Sequence, residues 1–342
     1  MRSADAIIAL RFVDFPLYQA FAGLTAGAFG TLNTPSMTGS IINNGSQDSI
    51  MSWARRGHAD LGADRLYFYG ATHGGGTPAQ NMSYMIRYSL ATHTWVKEAI
   101  NSPEAFDSSG RHGYYQFAQR QSDGHQFIRD TRTATIYSRT RDGAWGTSEV
   151  PTLPGTQFIE WNNGNALEWY PDFGAAGALV FASTSRIYTW EPGDPSWTIR
   201  GAFGGSSEID NWIVYNRADS RIYTGIDQVM RRLDPNGTVV TRSGPPFNCS
   251  VGTTTPGTVF SSGLTGNRMF AINVSGTRPV HEYNHSTDTW SSSITNLPAA
   301  FDAVESGPTY LFFGITVPNH GVMWHVIDGN PNPSATMHLW RR

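Results

Sequence analysis

From about residue 56 onward, short runs of β-branched and aromatic residues alternate with Gly, Pro, Asn, Asp and Ser. RLYFYGA (65–71), MSYMIRYS (82–89), THTWVKEA (92–99), GALVFAS (177–183), RIYTWE (186–191), NWIVYNR (211–217) and YLFFGITV (310–317) are typical. Each is about five to eight residues long, the ordinary length of a strand. Amphipathic helical periodicity is weak almost everywhere, so the pattern predicts strands joined by turns. The turns are explicit at Glu191-Pro192-Gly193-Asp194 and Asp234-Pro235-Asn236-Gly237. Proline presets φ there, and Gly or Asn accepts a positive φ. AWGTSEV (144–150) reads as one more strand of this kind.

The runs fall into six groups of three or four, and the groups repeat. Trp95, Trp145, Trp197, Val239, Trp290 and Trp340 stand at successive steps of 50, 52, 42, 51 and 50 residues. One aromatic anchor per ~50 residues is the mark of a blade-type repeat. The expected fold is therefore all-β, a six-bladed β-propeller of four-stranded antiparallel blades, with seven blades as the alternative if residues 14–45 form an irregular one. A flat tryptophan on each outer strand would fill the gap between neighbouring blades.

Only Arg341 and Arg342 follow Trp340, too few for a further strand. An open edge is a hazard, and AIIALRFV (6–13) is strand-like. We expect this N-terminal strand to close the last blade. The segment 14–45 is too apolar and Gly-rich for a solvated linker. It divides the chain into an arm over 1–45, closing the blade or docking on another chain, and a repeat domain over 46–342.

The anchors resemble the kelch repeat, which sets an aromatic residue ahead of a Trp with a Thr between them. Tyr88, Thr92 and Trp95 fit that spacing, as do Tyr283, Thr287 and Trp290. Arg56 and His58 are also kelch-like. Most groups depart from the pattern by lacking its diglycine; Gly70, Gly225 and Gly314 stand singly. The resemblance implies a kelch-like propeller over about residues 50–342. It makes Trp95, Trp145, Trp197, Trp290, Trp340, Tyr88 and Tyr283 structural repeat anchors.

Charge and composition narrow the function. The formal net charge is −3 and Lys97 is the only lysine, so no basic field favours nucleic acid or an anionic membrane. The apolar stretch over residues 1–30 is interrupted by Asp5, Arg11, Asp14 and Pro16. It falls short of the ~20 apolar residues of a membrane span and of a signal-peptide centre. No leader, anchor or membrane insertion is expected, and the chain would be made in the cytoplasm. Cys249 is the only cysteine, so no internal disulfide forms; a lone thiol is more often a small core residue than a nucleophile.

The ten histidines form no metal-ligand motif, and His281 and His285 lie across a strand end rather than on one helix face. No metal or cofactor is expected, and no catalytic residue stands out. Ser138 and Asp142-Gly143-Ala144-Trp145 resemble the Asp-box of sialidase-like propellers, a turn device rather than a catalytic group. A sialidase would need three convergent arginines, a tyrosine nucleophile and carboxylates, and no spacing selects such a set. The loop Thr72-His73-Gly74-Gly75-Gly76-Thr77-Pro78 lacks the Gly-Lys-Ser/Thr of a phosphate loop and makes His73 a candidate on a binding face. Trp161, Trp169 and Trp212 lie off the outer-strand register. They are the candidates for exposed sugar-stacking platforms, with core packing as the competing reading.

Three functions follow. The leading one is a non-catalytic interaction subunit of a larger assembly, with protein partners docking through residues 1–45. A Gly/Ser/Thr/Asn-rich, nearly lysine-free β protein would suit a bacteriophage tail or capsid-surface component. The alternatives are glycan-binding receptor recognition and a sialidase-like hydrolase.

Overall fold

The computed structural model describes residues 15–33, 57–60, 62–70, 84–99, 116–129, 134–154, 165–202, 211–249, 257–262, 268–273, 277–298, 322–323 and 336–341. The chain separates into two compact units. One holds Met1–Gly113, Ser262–Thr265 and Pro298–Arg342; the other holds Tyr114–Ser261 and Gly266–Leu297.

The first unit begins with a short helix, α1 (Pro16–Ala22), with proline in its first turn, where its missing N–H costs nothing. Strand β1 (Phe29–Asn33) follows. A four-stranded antiparallel sheet comes next, in the order β2 (Gly57–Asp60), β3 (Arg65–Gly70), β4 (Tyr84–Ser89), β5 (Thr94–Ala99).

The second unit carries a three-stranded sheet of β6 (Phe117–Arg120), β7 (His125–Arg129) and β8 (Ile136–Arg139). It continues with two four-stranded sheets. One runs from β9 (Ala166–Tyr170) through β10 (Ala178–Ala182) and β11 (Arg186–Trp190) to β12 (Thr198–Ala202). The next runs from β13 (Trp212–Asn216) through β14 (Arg221–Ile226) and β15 (Val229–Leu233) to β16 (Val239–Arg242). A fifth sheet joins β17 (Gly257–Ser262), β18 (Arg268–Asn273), β19 (Pro279–Asn284) and β20 (Thr289–Trp290), with β21 (Thr295–Asn296) also on β19.

Among the described residues these five sequential meanders correct the count of six blades and its alternative of seven. Of the last repeat, residues 322–323 and 336–341 are described. Its described strands, β22 (Val322–Met323) and β23 (Thr336–Arg341), form a three-stranded sheet with β1, in the order β1-β23-β22. The N-terminal strand that covers the last one is thus Phe29–Asn33, paired Phe29 to Trp340 and Asn33 to Thr336. The predicted strand 6–13 lies outside the described residues.

Residues 15–33 are built into the chain's own core. Leu17, Tyr18 and Phe21 of α1 pack with Phe68, Ile86, Tyr88 and Trp95 of the first sheet and with Met337 and Leu339 of β23. Burying each such side chain stabilises the fold by about 1.5–3 kcal/mol. Arg341 completes the attachment. Its Nη1 donates to the carbonyls of Phe21 and Ala22, both at 3.2 Å, and of Leu24 at 2.5 Å. A cation there is favoured by the carbonyls at the C-terminal end of a helix.

The two hairpins that match the repeat pattern best have the same geometry. Tyr88 pairs across the ladder with Trp95, and Tyr283 with Trp290. His93 (φ 57°) and Asp288 (φ 55°) hold the left-handed turn position between them. Each accepts from the tyrosine hydroxyl, His93 through Nδ1 and Asp288 through Oδ1. Thr92 bonds Thr94, and Thr287 bonds Thr289.

Candidate functional site

The inner strands of the second unit begin with a repeated polar residue. Gln116, Asn165 and Asn211 each stand one position before β6, β9 and β13, and all three are buried. The Gln116 and Asn211 amides bind neighbouring sheets. Gln116 Nε2 donates to the Asn165 carbonyl, and Asn211 Nδ2 donates to that of Ala182 at 3.1 Å. Arg129, at the end of β7, is fully buried beside them. Its Nη1 lies 3.5 Å from Gln116 Oε1, and its guanidinium lies 5.3 Å from the centre of the Phe181 ring. Glu168 is buried at the middle of β9, with Oε1 accepting from the Trp169 amide at 2.8 Å. This end of the sheets offers amides and a guanidinium, with the Glu168 carboxylate further along β9. Such groups hydrogen-bond a polar partner or each other; they include no nucleophile paired with a base.

At the β6–β7 turn, Arg120 donates through Nε and Nη2 to Asp123, at 2.7–3.0 Å. Burial alone would raise the Asp123 pKa, but the hydrogen bonds from Arg120 and the His125 amide outweigh it and hold the carboxyl below its usual value. Arg120 Nη2 also lies 3.3 Å from His125 Nδ1. His125 Nε2 bonds Glu149 Oε2 at 2.7 Å. Both ring nitrogens are thus engaged.

A third cluster joins the last two sheets of the unit. Arg221 Nε donates to Asp234 Oδ1 at 2.8 Å and Arg232 Nη2 to Asp234 Oδ2 at 2.9 Å. Arg242 Nη1 lies 3.7 Å from Asp288 Oδ2. The Tyr223 hydroxyl donates to Asp219 and the Tyr283 hydroxyl to Asp288, and the two rings meet edge to face at 5.6 Å. Burial, then these bonds to carboxylates, raise both phenol pKa values. The set holds three arginines, two tyrosines and three aspartates. Charges of opposite sign are matched, and the phenols are held protonated, the opposite of an activated nucleophile.

The sequence candidates take different places. Trp161 and His73 lie outside the described residues. Trp169 and Trp212 are 4% and 0% exposed, which corrects them from exposed platforms to core. Trp169 stacks on Phe127 at 5.7 Å with an interplanar angle of 5°. Each lies against a glycine: a Cβ on Gly177 would come 2.7 Å from Trp169 Cζ2, and one on Gly225 2.5 Å from Trp212 Cζ2. Inner strands covered on both faces bury even large aromatics. Among the anchors, Trp95, Trp197 and Trp340 are buried and Trp145 and Trp290 half-buried. Cys249 is buried in the apolar core, where burial pushes its thiol well above the ordinary pKa. The inner-strand amides escaped sequence reasoning, although their shared place before an apolar run was visible.

Among the described residues, no group of His, Cys, Asp and Glu is placed to hold a metal, and no helix is long and apolar enough to cross a membrane.

No protein-family model matches the sequence, and no curated protein is similar to it. Solved structures share its fold. A protein of unknown function from Bacteroides thetaiotaomicron matches with a TM-score of 0.56 and 10% identity, over 92% of this chain and 76% of that one. Virginiamycin B lyase from Staphylococcus aureus matches at 0.54 and 10%, over 91% and 98%. A putative gluconolactonase matches at 0.51 and 10%, over 93% and 94%. These neighbours are β-propellers. The chain has an all-β propeller fold of antiparallel blades. At this identity the likeness concerns the fold alone, and it does not single out the kelch type.

Proposed function

We propose that this chain is a non-catalytic propeller that serves as an interaction subunit of a larger assembly. One observation carries the reading. The densest gathering of arginines, tyrosines and carboxylates in the described residues, from Asp219 to Asp288, is closed on itself by ion pairs and hydroxyl-to-carboxylate bonds. A sialidase-type site would leave arginines open for a substrate carboxylate and a phenol near its base. Here the same residue types tie two sheets together. Such a platform works by presenting loops and edges to partners.

The finer reading is a component of a bacteriophage virion, supported by the nearly lysine-free, Gly/Ser/Thr/Asn-rich composition. The test has two parts. Fluorogenic sialosides, galactosides and lactones incubated with the full chain should give no turnover; turnover abolished by Tyr223→Phe would overturn the non-catalytic reading. Peptides of the chain should appear at fixed stoichiometry in purified particles from its source; their absence would remove the virion reading.

A further inference from the structure

Trp145 stands at a repeat-anchor position yet is held differently from the anchors Trp197 and Trp290. Trp197 Nε1 donates to the Pro151 carbonyl at 2.8 Å, and Trp290 Nε1 to that of Ser243 at 2.9 Å. No described group accepts the indole N–H of Trp145, and its side chain is partly exposed. The expected strand 144–150 is absent. Only Gly146 pairs with β8, through two 2.9 Å bonds to Ser138. The chain around Trp145 is instead an exposed loop, running from a turn that Gly143 N closes on the Thr140 carbonyl at 2.9 Å.

We propose that Trp145 is the stacking platform of a carbohydrate-binding site on the outer edge of the β6–β8 sheet. The indole is fixed in advance. The Arg139 guanidinium lies over it, 4.5 Å from the ring centre, and is itself held by Gln126 Oε1 at 2.7 Å. A platform already ordered loses little entropy when a ligand stacks on it. Next to it along the same loop, Thr140, Asp142, Thr147 and Ser148 are exposed and bring hydroxyl and carboxyl groups. A pyranose presents that combination in reverse, an apolar C–H face bordered by hydroxyls that donate and accept. A protein partner would call for a contiguous apolar patch. Among the described residues, the exposed large apolar side chains are Val96, Ile199 and Val229, none of them in this loop.

Saturation-transfer NMR on the full chain tests the site, with the methyl glycosides of glucose, galactose and mannose at millimolar concentration as probes. The expected result is transfer to the ring C–H protons of at least one glycoside. It should be lost in Trp145→Ala, reduced in Trp145→Phe and unchanged in Trp290→Phe. Arg139→Gln, which frees the ring without removing it, should weaken the transfer and provides a second variant if Trp145→Ala fails to fold. No transfer from any of the three, or transfer that survives Trp145→Ala in a folded protein, overturns the proposal. Either result leaves the subunit reading in place, because that reading is tested by turnover and particle composition.

Discussion

The indole nitrogen of Trp290 donates to the main-chain carbonyl of Ser243, 2.9 Å away and 47 residues earlier in the chain. Trp197 does the same to Pro151, 46 residues earlier. In both cases the outer-strand tryptophan of one sheet holds the chain that leaves the preceding sheet. The repeat period is thus a physical distance as well as a pattern. At the fourth anchor position, Val239 has no donor and packs instead against Gly201, where a Cβ would come 3.0 Å from its own Cβ.

Replacing the donor while keeping an aromatic ring isolates the clasp. Trp197→Phe should cost about 1–3 kcal/mol, because a carbonyl loses its partner near a buried ring. Trp290→Phe should cost less, since its ring is half-exposed and water replaces the lost bond. Urea midpoints of the two variants against the parent chain give the comparison; equal midpoints for Trp197→Phe and the parent would refute the clasp.

The Arg341 contacts predict a local effect. Arg341→Ala removes the donor to three carbonyls at the end of α1, at a cost of about 1.5 kcal/mol. Hydrogen exchange should accelerate over residues 17–33 and stay unchanged in the β9–β12 sheet. Uniform acceleration would mean that the guanidinium has no special hold on the terminal segment.

Asp123 predicts a pH effect with a definite sign. Its folded pKa lies below the ordinary 3.8, because hydrogen bonds from Arg120 and the His125 amide outweigh its burial. Its contribution is therefore complete above the unfolded value and is lost as pH falls through the folded one. Denaturation midpoints measured downward from pH ~5 should fall more steeply for the parent chain than for Asp123→Asn. Parallel curves would show that the carboxylate is not held.

Cys249 should be inert in the folded state. Its buried thiol stays protonated well above the usual thiol pKa, and the thiolate is the reactive form. Ellman's reagent at mildly alkaline pH should give no signal until denaturant is added, then one thiol per chain. Prompt native reactivity would contradict its place in the core.

Asp288 joins several groups: Oδ1 accepts from the Tyr283 hydroxyl at 2.6 Å and from the Ser243 amide at 2.9 Å. Asp288→Ala should cost about 1.5–3 kcal/mol by removing the charged acceptor of the Tyr283 hydroxyl and the Ser243 amide, and Asp288→Asn less. Thermal unfolding orders the two variants; an Ala variant as stable as the Asn one would count against the network.

Local signals were legible wherever a residue's own geometry decides the outcome. Gly193 (φ 96°) and Gly237 (φ 85°) sit in the turns that their Pro-Gly and Asn-Gly neighbours announced. The Tyr88–Trp95 and Tyr283–Trp290 pairs were visible as spacings, since a short hairpin fixes the cross-strand partner. Positions that depend on distant partners were not legible. AIIALRFV and Phe29–Asn33 are both extended-prone, and only pairing with Thr336–Arg341 shows which one covers that edge. Trp169 and Trp212 have nothing in their local sequence that separates an exposed face from a covered one. The inner-strand amides made the same point: their place in the sequence was plain, but their partners lie 29 and 49 residues away.

The sequence by itself determined a β protein of repeated hairpins, its turn positions, its anchor period and its lack of a basic field. Those properties come from backbone preference and from side chains a few residues apart. Only the tertiary structure decided how many sheets the repeats build, which N-terminal strand joins the last one, which tryptophans are core, and that the arginine–aspartate cluster is closed. These depend on contacts between segments tens to hundreds of residues apart, where burial and hydrogen-bond satisfaction are settled by the neighbour that arrives.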